Sequence, residues 1–93
     1  MSYTLRVQSE AIIDMQVAFE WYEAQQPGLG YDLIAEIENS YEKLSNHPLH
    51  YTAINARFRR LKVNRFPYLI VYEVEGSNVI VNSVQHKSKK PKF

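Results

Sequence analysis

Nine of the eleven Lys and Arg residues follow His47, and they gather into two runs. The first is Arg57-Phe58-Arg59-Arg60-Leu61-Lys62-Val63-Asn64-Arg65, and the second is His86-Lys87-Ser88-Lys89-Lys90-Pro91-Lys92-Phe93. Cations at this density attract phosphates or carboxylates, and the interleaved Phe58 points to nucleic acid or another anionic partner. His86 heads the second run and is the one group beside the cations whose ordinary pKa, about 6.5, suits proton transfer near neutrality. Two chemistries are therefore open: electrostatic docking of an anion, or proton transfer next to a phosphate. The plainer reading stands beside them. Charge along the first run can simply blunt an exposed strand edge, the second can be an ordinary charged terminus, and His86 can be a structural residue at a strand end.

Other chemistries lack their parts. His47 and His50 flank Pro48, but no carboxylate or cysteine cluster joins them or His86 at ligand spacing, so neither a metal nor any other cofactor is expected. With no cysteine there are no disulfides and no thiolate nucleophile. No Gly-rich phosphate loop, Ser/His/Asp arrangement or paired-carboxylate site stands out.

The formal charge of +1 hides a division. Residues 1–46 hold eight acidic side chains against Arg6 and Lys43, a net of −6, whereas residues 47–93 hold nine basic ones against Glu73 and Glu75, a net of +7. A chain of 93 residues is expected to form one domain spanning 1–93, large enough for one modest core. The opening residues carry no recognisable signal peptide and no apolar stretch approaches membrane-spanning length, so no membrane partner and a cytoplasmic location are expected.

These groups need elements to hold them. Tyr3, Leu5 and Val7 alternate with Thr4, Arg6 and Gln8 as in a half-buried strand. Ser9 reads as a helix N-cap with Glu10 in the first turn. Ala11, Met15, Ala18, Phe19 and Tyr22 then recur at helical spacing, with Ile13, Val17 and Trp21 widening the apolar face, to an end near Gln25 or Gln26. Pro27-Gly28-Leu29-Gly30 breaks this helix. Leu33, Ile34, Ile37, Tyr41 and Leu44 mark a second, stopped by Asn46-His47-Pro48. The aromatics Phe19, Trp21, Tyr22, Tyr31 and Tyr41 are expected in the core and the packing of this hairpin, whose outer faces carry most of the acid.

Beyond Pro48 the pattern becomes extended. Tyr51 to Ile54 reads as a short strand, and Phe58 to Val63, Tyr68 to Val74 and Val79 to Gln85 as stronger ones. Glu75-Gly76-Ser77-Asn78 is the turn of an antiparallel hairpin. The fold class is α+β: an N-terminal strand, an αα-hairpin, then a three- to four-stranded, mainly antiparallel sheet with the helices on one face. Tyr68, Ile70, Tyr72 and Val74 share one side of their strand, and Leu69 and Val71 the other. The second side must be covered by a curled edge, the C-terminal tail or a partner.

In this order and spacing the chain resembles the RelE/ParE superfamily of toxins from type II toxin–antitoxin pairs, often labelled plasmid stabilisation proteins. The resemblance runs through Ala11-x-x-Asp14, Trp21-Tyr22, Pro27-Gly28-Leu29-Gly30, Ile34 to Leu44 and His47-Pro48. It continues in Arg59-Arg60-Leu61, Arg65-Phe66-Pro67-Tyr68, Tyr72, Ser83-Val84-Gln85-His86-Lys87 and Pro91. It implies a small toxin held inactive by a cognate antitoxin.

Two activities dominate in that superfamily. RelE-like members cut messenger RNA on the ribosome without metal, and ParE-like members poison DNA gyrase. For the nuclease, the resemblance sets Arg60 and Lys62 at alternate positions of the middle strand and Lys87 at the exit of the last. It expects arginine where this chain has Leu69 and tyrosine where it has Phe93. RNA cleavage needs a base, an acid and cations for the charge on phosphorus; His86 with Arg60, Lys62 and Lys87, assisted by Tyr68 or Tyr72, is a possible substitute set. Leucine cannot stabilise that charge, and a phenyl ring cannot move a proton. The helical half and a histidine at position 86 also look ParE-like. The reading therefore leans to gyrase inhibition, with Arg57, Arg59, Arg65, Lys89, Lys90 and Phe93 as target- or nucleic-acid-binding residues. A metal-independent endoribonuclease is the alternative, and a non-toxic binding module of the same fold is a third.

Overall fold

In the computed structural model, which describes residues 2–88, the extended alternation at the N-terminus becomes β1 (Thr4–Val7) and the helical periods become α1 (Ser9–Gln25) and α2 (Leu29–Asn46). Four strands follow: β2 (Thr52–Ala53), β3 (Phe58–Lys62), β4 (Tyr68–Glu75) and β5 (Asn78–His86). They form one sheet in the order β1-β5-β4-β3-β2. The β2–β3–β4–β5 stretch is antiparallel, whereas β1 joins β5 in parallel. The expected α+β arrangement is present, with four strands after the helices.

The hairpin β4–β5 is the backbone of the sheet. Its turn closes at Gly76, whose φ of +61° favours a residue without Cβ. Near the middle the register slips between Val71 and Tyr72, so that Val71 pairs with Ser83 and Tyr72 with Val81, leaving Asn82 as a bulge. The Val84 amide just beyond the bulge donates to Asp14 Oδ2 at 3.0 Å, which ties α1 to β5 across 70 residues of sequence.

The core lies between helices and sheet. Ala11 and Ala18 of α1, Leu33, Ile37 and Leu44 of α2, and Leu61, Val63, Ile70, Tyr72, Val79, Val81 and Val84 of the sheet layer form one buried cluster. Small residues on α1 permit close approach, and Gly30 shows how close. A Cβ there would lie 2.7 Å from the Phe19 carbonyl oxygen and 2.8 Å from its ring. Glu23 completes the α1–α2 junction: its carboxylate accepts from the amides of Gly28 (2.9 and 3.1 Å) and Gly30 (2.9 Å), satisfying the start of α2.

The exit of α2 is fastened to the sheet. The Tyr72 hydroxyl, fully buried, donates to the Pro48 carbonyl at 2.5 Å, and Arg59 Nη1 donates to the carbonyls of Tyr51 (2.8 Å) and Leu49 (3.4 Å).

Three expectations change. Gln8, not Ser9, occupies the N-cap position, in extended conformation and without a side-chain cap, and Ser9 is the first helical residue. Ile13, Val17 and Trp21 do not widen the buried face of α1. Four-residue spacing carries them to its outer side, where they are 57–62% exposed, because one row of alanines and Tyr22 suffices against the sheet. Tyr31 is likewise exposed; its ring lies edge-on to Phe19 at 4.9 Å and covers the helix junction from outside.

Candidate functional site

Residues paired across strands point to the same side of a sheet, so the register sorts every candidate. Leu61, Ile70 and Val84 pair in one row and belong to the core beneath the helices. On the opposite face Lys62, Leu69 and Gln85 form one row, Arg60, Val71 and Ser83 the next, and Phe58, Glu73 and Ile80 a third. Arg6 of β1 pairs with Ile80 and joins this face.

This face is apolar at its centre and polar around it. Val71 and Phe58 are buried, as are Ser83 and Gln85, whose amide donates to the serine hydroxyl at 2.9 Å. Glu73 is held between Arg57 Nε at 3.2 Å and the Asn82 amide at 3.0 Å, and Glu75, two residues on in β4, shares its side of the sheet. Asn55 Oδ1 accepts from the amides of Arg57 and Phe58, both at 2.8 Å, and so fixes the turn that delivers Arg57 to its rim.

The first basic run is thus divided among different tasks. Arg57 pairs with Glu73 and covers the Phe58 ring at 4.9 Å. Arg59 is turned to the loop carbonyls at the exit of α2. Arg65, at φ +69° in the loop after β3, stacks over Phe66 and reaches Asp32 (3.6 Å) and Glu36 (4.0 Å), joining the basic half of the chain to the acidic half. Arg60 and Lys62 remain exposed side by side, without an acidic partner among the described residues.

His86 is placed elsewhere. It pairs with Tyr68 and meets that ring at 5.3 Å, on the side of the sheet where Tyr68 also meets Tyr22 of α1. The sheet therefore separates His86 from Arg60 and Lys62. Ser88 approaches His86 Nδ1 with its amide at 3.2 Å and its hydroxyl at 2.7 Å; the amide can only donate, so a neutral ring carries its proton on Nε2. Burial raises the Tyr68 phenol above its ordinary pKa, with the neighbouring Tyr22 adding to the shift, so it is a poor base near neutrality. Lys87 is exposed, and its amide donates to the Pro67 carbonyl at 2.7 Å. Lys89, Lys90 and Phe93 lie outside the described residues. Among the described residues no group of three or more His, Asp and Glu is placed to hold a metal, and no helix is long and apolar enough to cross a membrane.

Arg60 and Lys62 thus lie exposed on one face of the sheet while the helical hairpin packs on the other, and the chain has a match in sequence. Residues 5–91 fit the family described as ParE toxin of the type II toxin-antitoxin system, parDE. The chain belongs to the ParE toxin family. No curated protein matches it in sequence. Among solved structures, the fold is similar to the chromosomal ParDE toxin–antitoxin system of P. aeruginosa, with a TM-score of 0.81 at 15% identity over 91% of this chain and 96% of the other. It is also similar to a mutant of the E. coli toxin RelE in the free state, with a TM-score of 0.71 at 17% identity over 95% and 86% of the two chains. A third likeness is to the RelBE2 toxin–antitoxin complex of Mycobacterium tuberculosis, with a TM-score of 0.62 at 21% identity over 92% and 99%. At these identities the likenesses are of fold.

Within this ParE-family toxin, Glu73, Ser83, Gln85 and Arg6 are members of the sheet face beyond the candidates that the sequence offers. Asn82, Ser83 and Gln85 interrupt an otherwise apolar strand, and that interruption was the available signal. Arg6 gave none, since its place depends on a parallel pairing with a strand more than 70 residues away.

Proposed function

We propose that this ParE-family toxin arrests growth in the cytoplasm by docking on DNA gyrase and inhibiting it, and that a cognate antitoxin covers it until it is freed. The observation that supports docking over RNA cleavage is the separation of His86 from Arg60 and Lys62 by the sheet. A phosphodiester held against those two cations has Leu69 and Gln85 as its neighbours in the row, and neither can take a proton from a 2′-hydroxyl. Charge complementarity without acid–base groups serves recognition and fast association.

The test is inducible expression with and without the neighbouring open reading frame, followed by growth, translation and DNA supercoiling, with a purified gyrase assay alongside. Growth arrest relieved by the neighbouring frame, together with linear cleaved DNA or blocked supercoiling in the gyrase assay, is the expected result. Rapid translation arrest with codon-positioned cuts in messenger RNA refutes gyrase as target, and undisturbed growth refutes toxicity altogether.

A further inference from the structure

Two surfaces of this molecule combine apolar side chains with charge, and the charges are of opposite sign. The first is the outer side of α1, where Ile13, Val17 and Trp21 stand one turn apart, 57–62% exposed, and take no part in the core cluster. Glu10 lies one turn before Ile13 and Glu20 one turn after Val17, both exposed on the same side of the helix, and α1 contains no Lys or Arg. The stripe is therefore an apolar ridge about 12 Å long with an acidic border.

The second surface is the side of the sheet turned away from the helices. Arg60 and Lys62 are exposed there without an acidic partner among the described residues. Lys87 joins them. Its amide continues the β4–β5 ladder to the Pro67 carbonyl, so strand alternation sends it to the side of Gln85 and away from His86. Half-buried Leu69 shares the row of Lys62, and buried Val71 that of Arg60. The aliphatic stems of Arg60 and Lys62 extend this apolar surface. Glu73 and Glu75 share the side but stand toward the other end of β4, and Glu73 is held by Arg57. From the Lys87 row to the Arg60 row is about 14 Å at the antiparallel rise, close to the length of the α1 ridge.

A helix with one apolar side is the element that covers a sheet face, as the hairpin already does on the inner side. Opposite charges around the two apolar centres favour contact between them. Two ridges face to face would bring acid against acid, and two sheet faces cation against cation.

We propose that the toxin associates with itself head to tail, the Ile13–Val17–Trp21 ridge of one copy lying on the Arg60–Lys62–Leu69 surface of the next, with Glu20 toward the cations. The ridge belongs to the helical layer and the other surface to the far side of the sheet, so the contact is heterologous and each added copy presents a new ridge or face. A contact built on so few side chains is small, and the association is therefore weak and concentration-dependent. It does not depend on gyrase being the target.

Sedimentation velocity of the purified toxin at low salt should show a mass that rises with concentration from the micromolar toward the millimolar range and falls back as salt is added. Val17→Ser with Trp21→Ser removes the ridge, and Arg60→Glu with Lys62→Glu reverses the face. Each pair should weaken self-association at least roughly tenfold, as loss of an interface anchor does. Mixing the two variants is the sharper test. The ridge variant keeps the face and the face variant keeps the ridge, so together they should form a one-to-one complex that neither forms alone. Because Trp21 is the only tryptophan, emission from the mixture comes from the face variant alone and should shift to shorter wavelength as the ridge is covered. A mixture that stays monomeric overturns the proposal, as does absence of association by the natural chain at every concentration. A face variant that still self-associates also overturns it, since ridge then meets ridge. All four substituted positions are exposed, so the variants remain folded, which circular dichroism verifies.

Discussion

Replacing Tyr72 with phenylalanine tests whether the exit of α2 is fastened as the structure indicates. Tyr72 is fully buried, and its hydroxyl donates to the carbonyl of Pro48, itself buried. The phenylalanine ring fills the same space, so apolar packing is retained and only the hydrogen bond is removed. Arg59 is occupied with the neighbouring carbonyls of Leu49 and Tyr51 and does not reach Pro48 as replacement. A lost hydrogen bond together with an unsatisfied buried acceptor costs about 1 to 3 kcal/mol. Taking about 2 kcal/mol, the midpoint of thermal unfolding falls by roughly 8 to 16 °C for a domain of this size.

The same group supplies a pH signature. Burial raises the Tyr72 phenol from its ordinary value to about 12, against the opposing pull of Arg59. A folded-state pKa above the unfolded one means the stabilisation is complete below pH 10 and is lost as pH rises from 10 toward 12. The stability difference between the natural chain and Tyr72→Phe should therefore be full at pH 7 and shrink through that window. Urea unfolding at pH 7, 10 and 11 measures it. A midpoint within 2 °C of the natural chain, or a difference that stays constant with pH, refutes the reasoning.

Tyr41→Phe makes a useful contrast: its hydroxyl donates to the Met15 sulfur at 3.0 Å, a weak acceptor, so its removal should cost under about 1 kcal/mol in the same unfolding assay. Gly30→Ala forces a methyl against the Phe19 backbone and should destabilise by about 1 to 3 kcal/mol, with separation of α1 from α2 visible as faster amide exchange in the hairpin. Asp14→Ala removes the acceptor of the Val84 amide and should cost about 1 to 2 kcal/mol, with loss of exchange protection at Val84 as its local mark. Arg60→Ala combined with Lys62→Ala should leave the unfolding midpoint within about 2 °C, since surface charges away from partners contribute little. On the proposed function, that double variant should nevertheless slow association with gyrase and weaken its salt dependence.

Much of the architecture was legible because periodicity is a local property. The shift from 3.6-residue to two-residue spacing after Pro48 marked the change from helices to strands, and Gly76 fixed the last hairpin because its turn needs a positive φ. The side of α1 that meets the sheet was harder. Ile13, Val17 and Trp21 have the same composition as a core row, and only the sheet's position decided that Ala11, Ala18 and Tyr22 are inside. The roles of the cations were hidden for the same reason. Arg59, Arg60 and Arg65 are alike in sequence, yet one holds loop carbonyls, one is exposed on the sheet and one meets the acids of α2.

By itself, the sequence determined an α+β domain, the order of its elements, the division of charge between its halves, and the absence of a cysteine or a phosphate loop on which chemistry could be built. These depend on residue types and near-neighbour spacing. The tertiary structure decided which residues share a face. Strand register placed Arg60 and Lys62 on one side of the sheet and His86 on the other, and the bulge at Asn82 kept β5 in step with the core on both sides of it. Register is set by pairings between distant segments, so cations and a histidine that one phosphate site would need together lie on different surfaces of the folded protein.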